Sequence, residues 1–519
     1  MKKVKKTKKE KVAKKRILKT EAIPQLRSSA SRDQGIEEFT RQALFEYGSY
    51  VVEQRAVPDF RDGLKPVHRS LMWSLAGLGL RPNAAYKKSA RTVGDTIGKY
   101  HPHGDQAAYG AMVTIANTMP PAVDGQGNWG SPINNAAHMR YTEARMSKFA
   151  HLFMLDSQYL KVVPKIPNYS GDDTIPLYLP ALLPFMLFLG SPPVPAYGVR
   201  AGNPSFSLPS VAKVVSRMLR GEELDSKELA KVMRVEHAWG CECVSDKKTL
   251  REILKTGGGS LQYQPEVEGL PKQRQILIKS FSPGKLSSKN SADNTLNKLA
   301  LLDGVKRAYS KQGKKSKGSG PYGALYVVET KGLKDDAFNK LVEKVRKEVT
   351  SSVSVRLGVT IRKADDPNQF RYWTFVQFFK NWIKYRINLE TRLIKSLIKD
   401  VQKELHLNEV YLFAVQNMEK LLKALPKVLV ADDPNEALAK ALKIPVEDAI
   451  IILDRKVRQL AKLEEKGLLE IIKKLKAELA GLKKDLKNPG ERAARVNDER
   501  VAAFLKNPDK NRSGLRFTK

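Results

Sequence analysis

Residues Leu468–Leu486, LLEIIKKLKAELAGLKKDL, decide the large-scale fold of this chain. Leu468, Ile472, Leu475, Leu479, Leu482 and Leu486 recur at spacings of 4, 3, 4, 3 and 4, a heptad seam that is kept dry only when a long helix packs on a partner. The expected partner is the earlier segment Tyr372–Gln416. It opens with Phe375, Phe378, Phe379 and Trp382 and then presents Ile383, Ile387, Ile394, Leu397 and Val401 as a similar stripe. Two such helices predict an antiparallel coiled coil, with residues 407–460 forming a small helical globule at its far end.

Working outward, residues 160–360 change character. Prolines punctuate short segments, and β-prone runs occur at Ser260–Glu268, Gln275–Phe281 and Tyr322–Glu329. Lys306–Gly320, rich in Lys, Gly and Ser, reads as a basic exposed loop. Nearer the N-terminus, Phe39, Ala43, Leu44, Tyr47 and Val51 recur at helical spacing within Ile36–Val57. Pro66 can open a second helix that Gly79 closes. Short helices are expected near Tyr86–Ile97 and Asp105–Asn117, and such helices separated by Gly-bearing turns suggest a helix-turn-helix or winged-helix unit. The expected class is therefore α+β and multidomain. Its segments are a Lys-rich arm (1–33), a helical domain (34–158), an α+β domain (159–370), the coiled coil with its globule (371–486) and a basic tail (487–519).

Charge narrows the function. Lys and Arg number 92 against 55 acidic residues, a net +37 over 519 residues, of which the first twenty residues contribute only +10. A surface this basic collects phosphate backbone or anionic lipid, and no lipid-anchor motif is present, so nucleic acid is the expected partner. The richest apolar stretch, Ile175–Leu189, is broken by Pro176, Pro180 and Pro184, so no membrane span is expected. The N-terminus carries charge without an apolar segment behind it, unlike a signal peptide. Its arm has too few apolar residues to fold alone; composition does not separate a DNA tether from an import-like signal. Cys241 and Cys243, with His237 nearby, supply too few ligands for a zinc site and fit a reducing, cytoplasmic setting.

Four stretches carry the chemistry: Arg55–Ser70 (RAVPDFRDGLKPVHRS), Ala85–Asp105 (AYKKSARTVGDTIGKYHPHGD), Asp124–Ser131 (DGQGNWGS) and His138–Glu143 (HMRYTE). A phenol ionises only near pH 10 in water, so Tyr141 needs help to act as a nucleophile. Arg140, adjacent in sequence, can favour the phenolate or stabilise charge growing on a phosphate. In order and spacing these stretches resemble the A subunit of type IIA DNA topoisomerases, the gyrase A and topoisomerase IV A family or its phage equivalent. The similarity is strong over residues 36–150 and weaker to about 486, where Thr256–Glu268 and Ile452–Lys466 also resemble family segments.

The resemblance implies a winged-helix DNA-gate domain, an α/β tower domain, and a coiled coil ending in an exit-gate globule. It implies Tyr141 as the nucleophile that forms a 5′-phosphotyrosyl intermediate, with Arg140, Arg55 and His103 as the cationic groups around the scissile phosphate. Lys65, His68, Arg69, Arg91 and His101 are implied DNA contacts, and Ile175, in Thr174-Ile175-Pro176, matches the apolar wedge that kinks the duplex. No Walker A motif and no Asp-x-Asp pair of the metal-binding kind occur in the chain. ATP and Mg²⁺ are thus implied on a B-type ATPase/Toprim subunit, in an A2B2 assembly built on a homodimer of this chain on double-stranded DNA. The expected setting is the cytoplasm of a bacterium or a phage-infected host. The sequence stops soon after the coiled coil, where gyrase A subunits carry a DNA-wrapping domain, so relaxation and decatenation are expected rather than supercoiling. A tyrosine recombinase would place its nucleophile near the C-terminus, which the position of Tyr141 disfavours. A non-catalytic DNA-binding protein would have no reason to keep Arg140-Tyr141 with Arg55 and His103.

One departure from the family pattern has a measurable consequence. After His-Pro-His-Gly-Asp the bacterial enzymes usually carry Ser and, four residues on, an acidic residue that together anchor quinolone drugs. Here these positions are Gln106 and Gly110. Titrating a quinolone against covalent DNA adducts is expected to show weakened trapping; trapping at ordinary family sensitivity would contradict this.

Overall fold

A computed structural model describes residues 35–190, 194–196, 199–312, 324–361, 370–455 and 464–509. The Lys-rich arm (1–33) lies outside them. The chain divides into two compact units, residues up to Gly48 and Ser49 onward. The described part of the first unit is helical. It belongs to α1 (Ile36–Val51), and its Ile36, Phe39, Leu44, Phe45 and Tyr47 are exposed. A five-residue π-helix, Val52–Ala56, follows at the start of the second unit.

After the π-helix comes α2 (Pro66–Gly77), which has Pro66 in its first turn and is followed by Gly79 at φ 67°. Next come β1 (Lys87–Lys88), α3 (Ser89–Lys99), α4 (Asp105–Ala116), β2 (Val123–Gln126) and β3 (Glu143–Met146). β3 lies between β1 and β2 in an antiparallel sheet, with Glu143 opposite both Lys88 and Gln126. Residues 86–88, expected in a helix, lie outside it: Lys87 and Lys88 are the edge of this sheet, and the helix starts only at Ser89. A hairpin of β4 (Lys165–Pro167) and β5 (Thr174–Pro176) follows.

The helical domain does not close on its own. Its short helices expose too much apolar surface, and the proline-punctuated stretch 178–188 fills the gap with Tyr178, Leu179, Leu182, Phe185 and Phe188, all buried. Val211, Leu254, Phe375, Trp382, Leu389 and Phe504 join the same core. The expected boundary near residue 158 therefore runs through one hydrophobic core. Gly63 marks how tightly it closes: at φ +70° a Cβ there would come within 2.2 Å of the Met186 backbone nitrogen.

A second core lies under a four-stranded antiparallel sheet, in the order Val267–Leu270, Gln275–Ile278, Ala324–Thr330, Val305–Gln312. Ile276, Ile278, Tyr326 and Val328 pack there against Leu296 and Leu299 of helix Lys289–Ala300 and against Phe338, Leu341 and Val345 of helix Asp335–Val349. The segment expected as a basic loop is corrected in part: residues 305–312 pair along the neighbouring strand, while 313–320 lie outside the described residues.

The coiled coil forms as the heptads require. Thr374 caps the 42-residue helix Phe375–Gln416, accepting from Gln377 N at 3.1 Å while the Gln377 side chain accepts from Thr374 N at 3.0 Å. At 1.5 Å per residue the helix is roughly 63 Å long. Helix Glu465–Lys487 runs back along it, as Gln416 meets Glu465, Glu409 meets Lys476, and Glu390 meets Arg492 beyond its end. Ile394, Leu397 and Val401 pack on Leu475, Leu479, Leu482 and Leu486. Ile383 and Ile387, expected on this seam, instead face the first core. At the far end Val410, Ala414, Leu421, Leu438, Ala449 and Ile452 form a hydrophobic cluster of their own.

The expected basic tail is also corrected over its described part. Helix Pro489–Lys506 buries Ala493, Ala494, Asn497 and Phe504, because an apolar face repeats among its charges. It closes a buried polar knot. Glu390 accepts from Tyr159 Oη at 2.7 Å and Arg386 Nη1 at 2.6 Å, and also pairs with Arg492. Removing one partner of a buried ion pair strands the others without water. Glu390→Ala is expected to cost about 3–5 kcal/mol of stability in denaturant unfolding; a loss below about 1 kcal/mol, typical of a surface pair, would contradict it.

Candidate active site

Tyr141 stands in the turn that precedes β3, its N–H donating to the His138 carbonyl at 2.8 Å. Its neighbour Thr142 points inward and is fully buried, while Tyr141 is 62% exposed. Thr142 Oγ1 lies 2.8 Å from both Ser89 Oγ and Tyr109 Oη. Tyr109 Oη also donates to the Ala137 carbonyl at 2.7 Å. The N-terminus of α3 completes the support. Its otherwise unpaired amides, Ser89 N and Ala90 N, donate to the Thr142 and Met139 carbonyls at 3.0 and 3.2 Å. The loop carrying Tyr141 is thus fixed on both sides while its phenol faces solvent.

The Arg140 guanidinium lies 5.0 Å from the Tyr141 ring centroid and is itself exposed. An exposed guanidinium can reach a phosphate bidentately. His138 in the same turn contacts Gln106 at 3.3 Å between Nε2 atoms. That contact ties the Tyr141 loop to the start of α4 and so to the His101–Asp105 loop before it.

In that loop His101 and His103 stack with ring centroids 4.1 Å apart. Burial pushes His101 down to about 4, with the positive charges of His103 and Arg55 adding to the effect. Arg55, exposed on the π-helix, therefore lies within electrostatic reach of the pair. His101 is thus neutral at pH 7 and lies stacked on the exposed His103. Arg55, His101 and His103 form one group, and Arg140 and Tyr141 form a second, linked through Gln106 and His138. Arg91, on the first turn of α3, is exposed close to the amides that hold the Tyr141 loop. Lys65 is half-buried, and burial lowers its affinity for a proton.

Two expected phosphate contacts are corrected. Arg69 is 2% exposed and forms a bidentate pair with the buried Asp62, Nε to Oδ2 at 2.7 Å and Nη2 to Oδ1 at 3.0 Å. Asp62 also accepts from Leu64 N and Leu179 N, so the motif's Asp and Arg fasten the turn to the first core. His68 is 4% exposed, inside α2. Periodicity could have signalled this: His68 and Arg69 lie beside Leu71 and Met72, on the buried side of a short helix.

Ile175 is half-buried on β5, opposite Ile166. The hairpin is anchored by Trp73 Nε1, which donates to the Thr174 carbonyl at 3.2 Å. Tyr100 Oη adds a bond to Asp173 at 2.8 Å, as does the Asn168 amide to the Lys99 carbonyl at 3.0 Å. It is thereby joined to the end of α3, immediately before His101. Sequence reasoning missed Lys87 and Lys88, exposed cations on the strand paired with β3, although they lie within a quoted motif; Lys88 pairs with Glu143 at 2.9 Å.

Among the described residues no group of three or more His, Cys, Asp or Glu side chains is placed to hold a metal ion. Cys241 is buried, which pushes its thiol up, and neither it nor Cys243 is bonded in a disulfide. No helix among the described residues is long and apolar enough to cross a membrane.

The family model for the DNA gyrase/topoisomerase IV A subunit matches residues 55–499. The DNA topoisomerase 4 A subunit of Haemophilus influenzae is 30% identical over 450 residues, which cover 84% of this chain and 58% of the relative. For the protein of that name from Neisseria gonorrhoeae the figures are 30% over 504 residues, 92% and 64%. The DNA gyrase A subunit of Campylobacter fetus is 31% identical over 461 residues, 85% of this chain and 51% of the relative. The chain belongs to the family of DNA gyrase and topoisomerase IV A subunits. It spans about three-fifths of the length of the topoisomerase 4 relatives it matches.

The buried histidines make stability depend on acid. Burial pushes His68 down to about 3 and His237 to about 4, alongside His101. Each contributes stability that is fully present above its unfolded value, about pH 6.5, and is lost as pH falls toward the folded value. The urea midpoint is expected to drop between pH 6.5 and 4, with a shallower drop in His68→Leu. Equal slopes for the two proteins would exclude His68 as a source.

Proposed function

We propose that this chain is the DNA-cleaving and resealing subunit of an ATP-dependent type II topoisomerase. The observation that carries the reading is the exposed Arg140–Tyr141 pair, held on a buttressed loop that the His138–Gln106 contact ties to the loop of His101 and His103, with Arg55 within electrostatic reach of His101. The Tyr141 phenolate oxygen attacks a DNA phosphorus, the bond from phosphorus to the 3′ oxygen breaks, and that oxygen takes up a proton. The product is a 5′-phosphotyrosyl link beside a free 3′-hydroxyl. Because phenolate is a good leaving group, the hydroxyl can attack in reverse and reseal the strand without an external energy source. Arg140, Arg55 and His103 neutralise the charge that builds on the phosphate.

Lys87, Lys88 and Arg91 would contact flanking phosphates, positioning duplex without reading sequence, and Ile175 would wedge a base step. α2 to α4 and the small sheet act as a winged-helix gate, with the second core's domain as the tower. Two copies place two tyrosines on opposite strands. The exposed Leu422, Leu429, Val430, Val446 and Ile450 of the distal globule suit a self-contact that would form an exit gate. ATP hydrolysis and the divalent metal would come from a B-type subunit in a cytoplasmic A2B2 complex, since the described residues supply no acidic cluster for the ion. Relaxation and decatenation are distinguished from supercoiling by assaying that complex on plasmid DNA.

Tyr141→Phe in this complex is expected to abolish covalent adducts and leave DNA binding intact. Arg140→Ala should slow adduct formation by about 100-fold or more. Adducts that persist in Tyr141→Phe would remove Tyr141 as the nucleophile. If the wild-type complex binds DNA and forms no adduct, the chain is a non-catalytic DNA-binding member of the family.

A further inference from the structure

Between β2 and the Tyr141 loop, residues 128–137 cross from one hydrophobic core to the other. Trp129 is buried in the first core and stacks obliquely near Tyr109, with ring centroids 5.9 Å apart. Asn117 Nδ2 donates to its carbonyl at 3.0 Å. Ala136 returns to the same core. The apex does not. Ile133, 9% exposed, packs within the second core with Phe281 and Tyr326, and the buried Tyr326 Oη donates to the Pro132 carbonyl at 3.1 Å.

The segment is braced internally, so it behaves as one body. Ser131 Oγ accepts from Ile133 N and Asn134 N at 3.2 and 3.1 Å, Ser131 N donates to the Asn134 carbonyl at 2.8 Å, and Trp129 bridges to Ala136. Gly130 sits at φ +88°, where a Cβ would approach Ala136 N to 3.1 Å. Ala137 N donates to the Asn128 carbonyl at 2.9 Å, and Tyr109 Oη holds the Ala137 carbonyl. One residue later the Tyr141 turn begins at His138.

A cavity of about 430 Å³ is lined by Gly130, Ser131 and Asn135 of this segment, by Thr114 of α4 and Asn117 just beyond it, and by Trp239. The segment is thus held by the first core at Trp129 and Ala136 and by the second core at its apex, so displacement of the second core is carried along it.

We propose that residues 128–137 are a strap through which the four-stranded domain sets the position of Tyr141, with Ile133 and Tyr326 as its positioning residues. The inference rests on Tyr141 being the nucleophile. Neither residue is assigned contact with DNA. They act by holding the attacking oxygen in line, where a shift of about 1 Å costs up to about 100-fold in rate.

The test uses the full chain assembled with its B-type subunit, Mg²⁺ and saturating duplex, with covalent adducts trapped by detergent over time. In Ile133→Ala and Tyr326→Phe, adduct formation at saturating DNA is expected to slow by about 10- to 100-fold while the Kd for DNA stays within about twofold. Ile133→Val, which keeps most of the apex, should recover to within about threefold of wild type. A purely structural role would lower the folded fraction and leave the rate per folded complex unchanged. Rates per folded complex equal to wild type in both variants would overturn the strap. Should Ile133→Ala fail to fold, Tyr326→Phe, which loses one hydroxyl, decides alone. A wild-type complex that forms no Tyr141 adduct would instead overturn the proposed function, and the strap with it; wild-type adducts with unaffected variants would overturn the strap only.

Discussion

The site depends on the burial of one small side chain. Thr142 is held in the interior by Ser89 and Tyr109, while Tyr141, one residue earlier in the turn begun at His138, is left exposed. A reactive phenol needs exposure to meet a phosphate and rigidity to meet it in line, and these demands conflict on a free loop. The conflict is resolved by dividing them between adjacent residues. The amides of α3 reinforce the arrangement, because a helix N-terminus leaves donors that the Met139 and Thr142 carbonyls satisfy.

Burial ties distant segments together on a larger scale as well. The first core draws residues from Phe60 to Phe504, so the segment around the Tyr141 loop, the base of the long helix and helix Pro489–Lys506 share one interior. Glu390 is its ionic centre, where Tyr159, Arg386 and Arg492 converge from three parts of the chain. Buried charges add little net stability, yet they tolerate few alternative arrangements. Such a knot sits where the long helix leaves the first core, about 39 Å at 1.5 Å per residue from Glu390 to its far end at Gln416.

Family membership and site geometry support each other without being the same observation. The match over residues 55–499 establishes ancestry. The exposed Arg140–Tyr141 pair and the grouping of His103 with Arg55 present to solvent the residue types that phosphoryl transfer needs. Burial separates residues that the motifs make look equivalent: His68 and Arg69 stand in the same motif as Arg55, but serve the interior.

The sequence by itself determined the coiled coil and singled out Tyr141. Heptad spacing is a local periodicity that fixes which helix face must be covered, and the Arg140-Tyr141 motif is contiguous. Four of the six heptad positions are buried as the pattern requires, with Leu479 and Leu486 packed beside them. Lys87, Lys88 and the extent of the first core were not legible, since strand pairing and burial depend on partners far away in the chain. Charge gave no warning that Arg69 would pair internally with Asp62, or that residues 489–506 would fold back as a helix. Only the tertiary structure decided that Ile133, an ordinary apolar residue in a glycine-bearing loop, belongs to a different core from its neighbours. The reason is physical: periodicity records which residues avoid water, and only packing determines where they go to avoid it.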